Sequence, residues 1–133
     1  MKFMGVVSLL LIGFVVTGCA GTAPRPPRSE FEDIPVPKGL TYQPDKSTVI
    51  ESPSVKAARL IYRGRLEPES LGQALRATLE ANGWRHVSTT TASGRGTIQV
   101  YEKASNALQV HIHEGVWYTY VELDATRSVQ QNR

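Results

Sequence analysis

A single cysteine among 133 residues rules out an intramolecular disulfide and any cysteine-based zinc cluster. An excess of either charge is also missing. Fifteen Lys and Arg stand against 12 Asp and Glu, giving a formal net charge of +3. No four basic residues run together, so neither a disordered polyelectrolyte nor a nucleic-acid binder is indicated. The apolar stretch from Gly5 to Val16 has twelve residues, short of the roughly 20 that a helix needs to span a bilayer. Internal repeats are absent, and the length accommodates one domain.

What is present begins with an address. Lys2 supplies a short basic start and Gly5 to Val16 an apolar core of signal-peptide length. The stretch ends in Val16-Thr17-Gly18-Cys19, with small residues directly before the only thiol. It resembles the lipobox of bacterial lipoproteins, in which Leu, a small residue, and Gly or Ala precede the cysteine; Val16 stands where Leu is commoner. The resemblance covers residues 1–19 and implies cleavage before Cys19 and its acylation, so that membrane lipid is the first partner. One acyl chain holds a protein only marginally, whereas the two or three implied here would hold it durably. Ala20, in place of the Asp that favours inner-membrane retention, implies an outer-membrane location facing the periplasm.

Residues 19–37 read as a tether. Five of the eight prolines fall between Ala20 and Pro37, and proline lacks the N–H that helices and sheets need. Eighteen such residues reach at most about 55 Å at ~3.1 Å each. A small domain is expected over residues 38–126, with a polar flexible tail over 127–133. Ser47–Ser52 and Ala57–Arg63 read as strands. Leu71, Ala74, Leu75, Thr78 and Leu79 then form one apolar stripe at helical spacing between Pro68 and Asn82. Glu67, Pro68 and Glu69 suit the start of this helix. Gly83 supplies its left-handed stop, with Trp84 folding back on the last turn. Four strands follow: Arg85–Ala92, Thr97–Lys103, Ala107–His113 and Val116–Leu123. With Glu114-Gly115 as a two-residue turn, Ile112 pairs with Trp117 and Val110 with Thr119. A three-residue loop at Ala104-Ser105-Asn106 sets Val100 opposite Val110, pointing Ile98 and Val100 inward. The expected fold is a two-layer α+β sandwich in the order β-β-α-β-β-β-β, with one amphipathic helix on an antiparallel sheet. The start Ile34-Pro35-Val36-Pro37-Lys38-Gly39 and the Gly83-Trp84 pair are similar to those of other small envelope lipoproteins; this likeness implies no activity.

Catalytic patterns are scarce. No serine sits in a Gly-x-Ser-x-Gly setting, and Glu102 and Glu122 show no pairing suggestive of glycoside hydrolysis. Ser93-Gly94-Arg95-Gly96 joins two strands and does not open a helix, so it lacks phosphate-loop geometry. A non-catalytic protein without cofactor is expected. His111 and His113 lie two apart on one strand face and are weak metal candidates. Further ligands could come only from Glu114, His86, Tyr118 or the Gln99 amide, and no spacing forces these together. The alternative for the two imidazoles is a surface location, stacked on Tyr118. Gln99, Tyr101, Gln109, His111, Tyr118 and Tyr120 are neighbours on the outer sheet face and form the candidate partner-binding surface. The expected role is an accessory or scaffold lipoprotein that meets an envelope protein partner. The alternative is a periplasmic module binding a small ligand, a metal or a cell-wall fragment.

Overall fold

The computed structural model describes Phe31 and residues 33–128. The signal-like segment, Cys19, most of the proline-rich stretch and residues 129–133 lie outside the described residues. Within them the chain forms one seven-stranded antiparallel sheet and a single helix, the α+β sandwich that the periodicities predict. The strands are β1 (Thr41–Tyr42), β2 (Thr48–Glu51), β3 (Val55–Gly64), β4 (Arg85–Ala92), β5 (Gly96–Lys103), β6 (Asn106–Glu114) and β7 (Thr119–Ser128). Helix α1 (Pro68–Ala81) lies between β3 and β4. Across the sheet the order is β1-β3-β7-β6-β5-β4, and β2 pairs with β3 on the same edge as β1. Strand β1, two residues long, is too short to leave a pattern in the sequence.

Helix α1 forms as its sequence signals dictate. The Glu67 carboxylate accepts hydrogen bonds from the N–H groups of Glu69 (2.8 Å) and Ser70 (2.7 Å), satisfying two donors that the first turn leaves free. Hydrogen bonding, that with Ser70 foremost, holds the Glu67 carboxyl below the usual carboxylate range. At the other end Gly83 adopts φ +85°. Its N–H donates to Glu80 O (3.1 Å), and that of Trp84 donates to Leu79 O (3.0 Å). This is a Schellman cap, with the Trp84 ring buried behind it. Leu71, Leu75 and Leu79 are buried on the sheet. At Gly72 the helix touches the sheet: a Cβ there would lie in van der Waals contact, 3.4 Å from both the Gln99 amide nitrogen and Ile112 Cδ1.

Facing the helix are Leu60, Leu108, Val110, Ile112, Val121 and Leu123, all buried and alternating as a half-covered sheet requires. The hairpin between β6 and β7 is longer than its sequence suggests. Residues 115–118 form a loop closed by a hydrogen bond from Gly115 N–H to Tyr118 O (2.7 Å), and Ile112 pairs with Val121 rather than Trp117. The slip is of four residues, an even number, so Val121 and Leu123 keep the inward face expected of them. Trp117 does not: in the loop it is 77% exposed.

The β5–β6 hairpin differs more consequentially. Lys103 pairs with Asn106, so the turn contains only Ala104 and Ser105, with Ala104 at φ +52°. One residue fewer in the turn sets Val100 opposite Gln109 and reverses both faces of β5. Strand β4 follows: Thr89 and Thr91 lie opposite Gln99 and Thr97, not Val100 and Ile98.

The folded unit also begins earlier than Lys38. Phe31 and Ile34 are buried in the same core, with Val36 and Leu40 packed against it. Asp33 pairs with Arg127, whose guanidinium lies 5.0 Å from the Phe31 ring centroid. Phe31 and residues 33–37 are therefore part of the domain, the prolines accommodated because the segment covers the core without joining the sheet. At the other end β7 continues to Ser128, past the expected boundary at 126, because Val55 to Gly64 pair with it throughout.

Leu79→Ala is expected to cost about 2–5 kcal/mol in a urea titration, through lost burial and the cavity left behind. Phe31→Ala is expected to cost a comparable ~3–5 kcal/mol. An unchanged midpoint for the Phe31 variant would identify the segment as a free tether.

Candidate functional site

Two of the six residues expected on the outer face are in the core. Gln99 and Tyr101 point toward the helix, because the tight Ala104-Ser105 turn reverses β5. The Tyr101 hydroxyl donates to Gln99 Oε1 (2.8 Å), and Gln99 Nε2 donates to the Gly72 carbonyl of α1 (3.1 Å). Burial pushes the Tyr101 hydroxyl from its ordinary 10.0 up to about 12. His86 stands edge-on to Tyr101, its ring centroid 5.4 Å away, and its Nε2 is 2.7 Å from Thr89 Oγ1. It therefore belongs to the helix side of the sheet and does not join the other histidines.

The open side carries Gln109, His111 and His113 from β6, and Tyr120, Glu122 and Asp124 from β7. Cross-strand pairing sets His111 opposite Glu122, His113 opposite Tyr120, and Gln109 opposite Asp124. Arg59 of β3 faces Asp124 and grips it with two hydrogen bonds, Nε to Oδ1 (2.8 Å) and Nη2 to Oδ2 (3.2 Å). The bonds to Asp124, its charge and that of Glu122 raise the affinity of the guanidinium for its proton. Glu122 approaches both Arg59 Nε and His113 Nδ1 at 3.9 Å. His113 stacks on Tyr120, centroids 5.5 Å apart at 13°, and not on Tyr118. Lys46 caps that ring from the far side of the sheet edge, 5.3 Å from its centroid. Tyr118 lies in the loop before β7, its ring within 4.6 Å of the Arg63 guanidinium and 5.4 Å of the Arg65 guanidinium.

His111, His113 and Glu122 each bring one donor atom within 4.8 Å of the others. Glu122 is the residue that sequence reasoning missed. A two-residue β6–β7 turn would have put Tyr118 beside His111; only the longer loop brings Glu122 there. Of the other ligands considered, Glu114 and His86 do not join the cluster; Gln99 is in the core on the Gly72 carbonyl and Tyr118 lies against Arg63 and Arg65. The β6–β7 loop carries an exposed apolar tip, Val116 (90% exposed) and Trp117.

An open groove of about 1430 Å³ is lined by the first half of α1, the β4–β5 hairpin and the end of β6, His111 and His113 included. Gln73, Arg76, Thr89, Thr91, Thr97 and Gln99 contribute to its lining. Compared with protein-family models, curated proteins and solved structures, the chain matches no family, no curated protein and no solved fold.

Tyr101→Phe is expected to lower stability by about 1–3 kcal/mol near pH 8, since Gln99 Oε1 loses its donor inside the core. The raised Tyr101 value fixes the sign of the pH dependence. Unfolded Tyr101 ionises near 10.0 and the folded form only near 12, so the folded state loses ground as pH rises between the two. The stability gap between wild type and Tyr101→Phe should therefore narrow from pH 8 to pH 11 in urea titrations.

Proposed function

We propose that this is a non-catalytic, lipid-anchored protein of the bacterial envelope, held at the periplasmic face of the outer membrane by acylated Cys19. Its folded domain acts through the open face of the sheet. The observation that carries the domain's part is its one-sidedness. Helix α1 and the 31–37 segment bury one face. The other presents half-buried Tyr120, His111 and His113 and the exposed Gln109, and the β6–β7 loop adds an exposed Trp117. Rigid aromatics and arginines on an open surface are the groups that anchor partners. Anchoring itself rests on the placement of the only thiol after Val16-Thr17-Gly18.

A second reading is a periplasmic binding module for a small polar ligand. The groove beside α1, with its threonine hydroxyls and Arg76, favours it.

Cys19→Ser is expected to abolish incorporation of a radiolabelled fatty acid and release the protein from the membrane fraction; equal labelling would overturn the anchor. Tyr118→Ser with Tyr120→Ser is expected to leave a folded, membrane-bound domain and to cost about 2 kcal/mol or more each in partner binding. Loss of cross-linked partners in the native envelope is the expected readout. Unchanged cross-links would remove this face from consideration and leave the groove.

A further inference from the structure

The open face carries a cluster of donors whose hydrogen bonding is incomplete in a particular way. His111 Nε2 lies 2.8 Å from the Arg95 carbonyl oxygen, which can only accept, so Nε2 carries the ring proton and Nδ1 the lone pair. A histidine that ligates a metal is oriented in this manner, its second nitrogen tied to a carbonyl or carboxylate. Among the described residues His113 Nδ1 has no hydrogen-bond partner, although the atom is shielded from solvent. Such orphaned polar atoms are uncommon and call for a ligand. Glu122 completes the set. Its carboxylate is only 22% exposed, and its approaches to Arg59 and His113, at 3.9 Å each, are too long for hydrogen bonds. Asp124 takes both arms of Arg59 at shorter range, which leaves Glu122 available.

We propose that His111, His113 and Glu122 bind one divalent transition metal ion of the zinc class on the open face of the sheet. Two imidazoles and one carboxylate suit Zn²⁺ and its neighbours, whereas Mg²⁺ and Ca²⁺ favour sets made only of oxygen. Ligands at 2.0–2.2 Å in a tetrahedral shell lie about 3.4 Å from one another. The donors, at up to 4.8 Å, need approach by at most roughly 1.4 Å, within the reach of side-chain torsions. Antiparallel register supplies the rigidity: His111 and Glu122 are a direct cross-strand pair, and His113 follows two residues along the same strand face. Three protein ligands leave a fourth position for water or for a group from a partner. The site does not depend on the lipid anchor, so it stands or falls separately from the acylation of Cys19.

The test is calorimetric titration of zinc chloride into the chelator-stripped full chain in detergent, with imidazole proton NMR in parallel. One ion per chain is expected, with selective perturbation of the His111 and His113 ring signals. Glu122→Gln and His113→Gln are each expected to weaken binding at least tenfold, and His86→Gln, on the opposite face, to leave it unchanged. The NMR arm needs no variant, so a substitution that unfolds the domain does not blunt the test. No binding up to 1 mM zinc, unperturbed His111 and His113 signals, or equal affinity in the folded Glu122 variant would each overturn the site.

Discussion

A tyrosine hydroxyl buried under a helix must find an acceptor, and the rest of this domain is arranged around how Tyr101 finds one. Its ring is the largest fully buried side chain, so it cannot reach water. The acceptor is Gln99, two residues back on the same face of β5, and the Gln99 amide in turn bonds the Gly72 carbonyl. This chain of polar contacts ties the middle of the sheet to the first half of α1 at Gly72. Inside a low-dielectric core each of these bonds is strong and each would be costly to leave unmade. The pair therefore fixes which way β5 faces, and through β5 the facing of β4.

Fixing β5 in this way leaves Ile98 and Val100 on the open side, half-buried beside His111 and Gln109. They place apolar side chains beside His111 and Gln109 on the open face. On the other flank, Asp124 takes the Arg59 guanidinium at 2.8 Å. The pair is substantially exposed, so it contributes little to stability. Its consequence is to keep Glu122 from being engaged. The open face is thus not a random polar surface but one with its charges sorted.

The incorporation of Phe31 and Ile34 into the core moves the start of the folded unit toward the N-terminus. In the lipid-anchored reading, eleven residues rather than eighteen separate Cys19 from the folded unit, at most about 34 Å at ~3.1 Å each. The segment enters beside Arg127 at one end of β7 and reaches Gly39 beside Gly64 at the other end of β3. A Cβ at Gly64 would lie 2.4 Å from the Gly39 carbonyl oxygen, so the crossing is tight as well as apolar. The proline content that suggests a spacer also suits a strap that covers a core without joining the sheet.

Local chemistry alone determined the helix. Glu67, Pro68, the Leu71–Leu75–Leu79 stripe, Gly83 and Trp84 act over one or two turns, and each took the role that its type and spacing demand. The inward faces of β6 and β7 were legible for a similar reason: Leu108, Val110, Ile112, Val121 and Leu123 alternate, and an even slip of register leaves alternation intact. Strand β5 was not legible. Thr97 to Glu102 offers a plausible apolar set on one parity, Ile98 and Val100, and a polar-aromatic set on the other. Only the helix decided between them, because Gln99 and Tyr101 can be buried only where Gly72 supplies an acceptor. The donor cluster was half legible. His111 and His113 share a face by the period of any strand, but Glu122 reaches them through the pairing of two strands across a four-residue loop. Residue spacing determines what lies on one strand's face; which carboxylate stands opposite is decided by long-range register, and that is a property of the folded sheet.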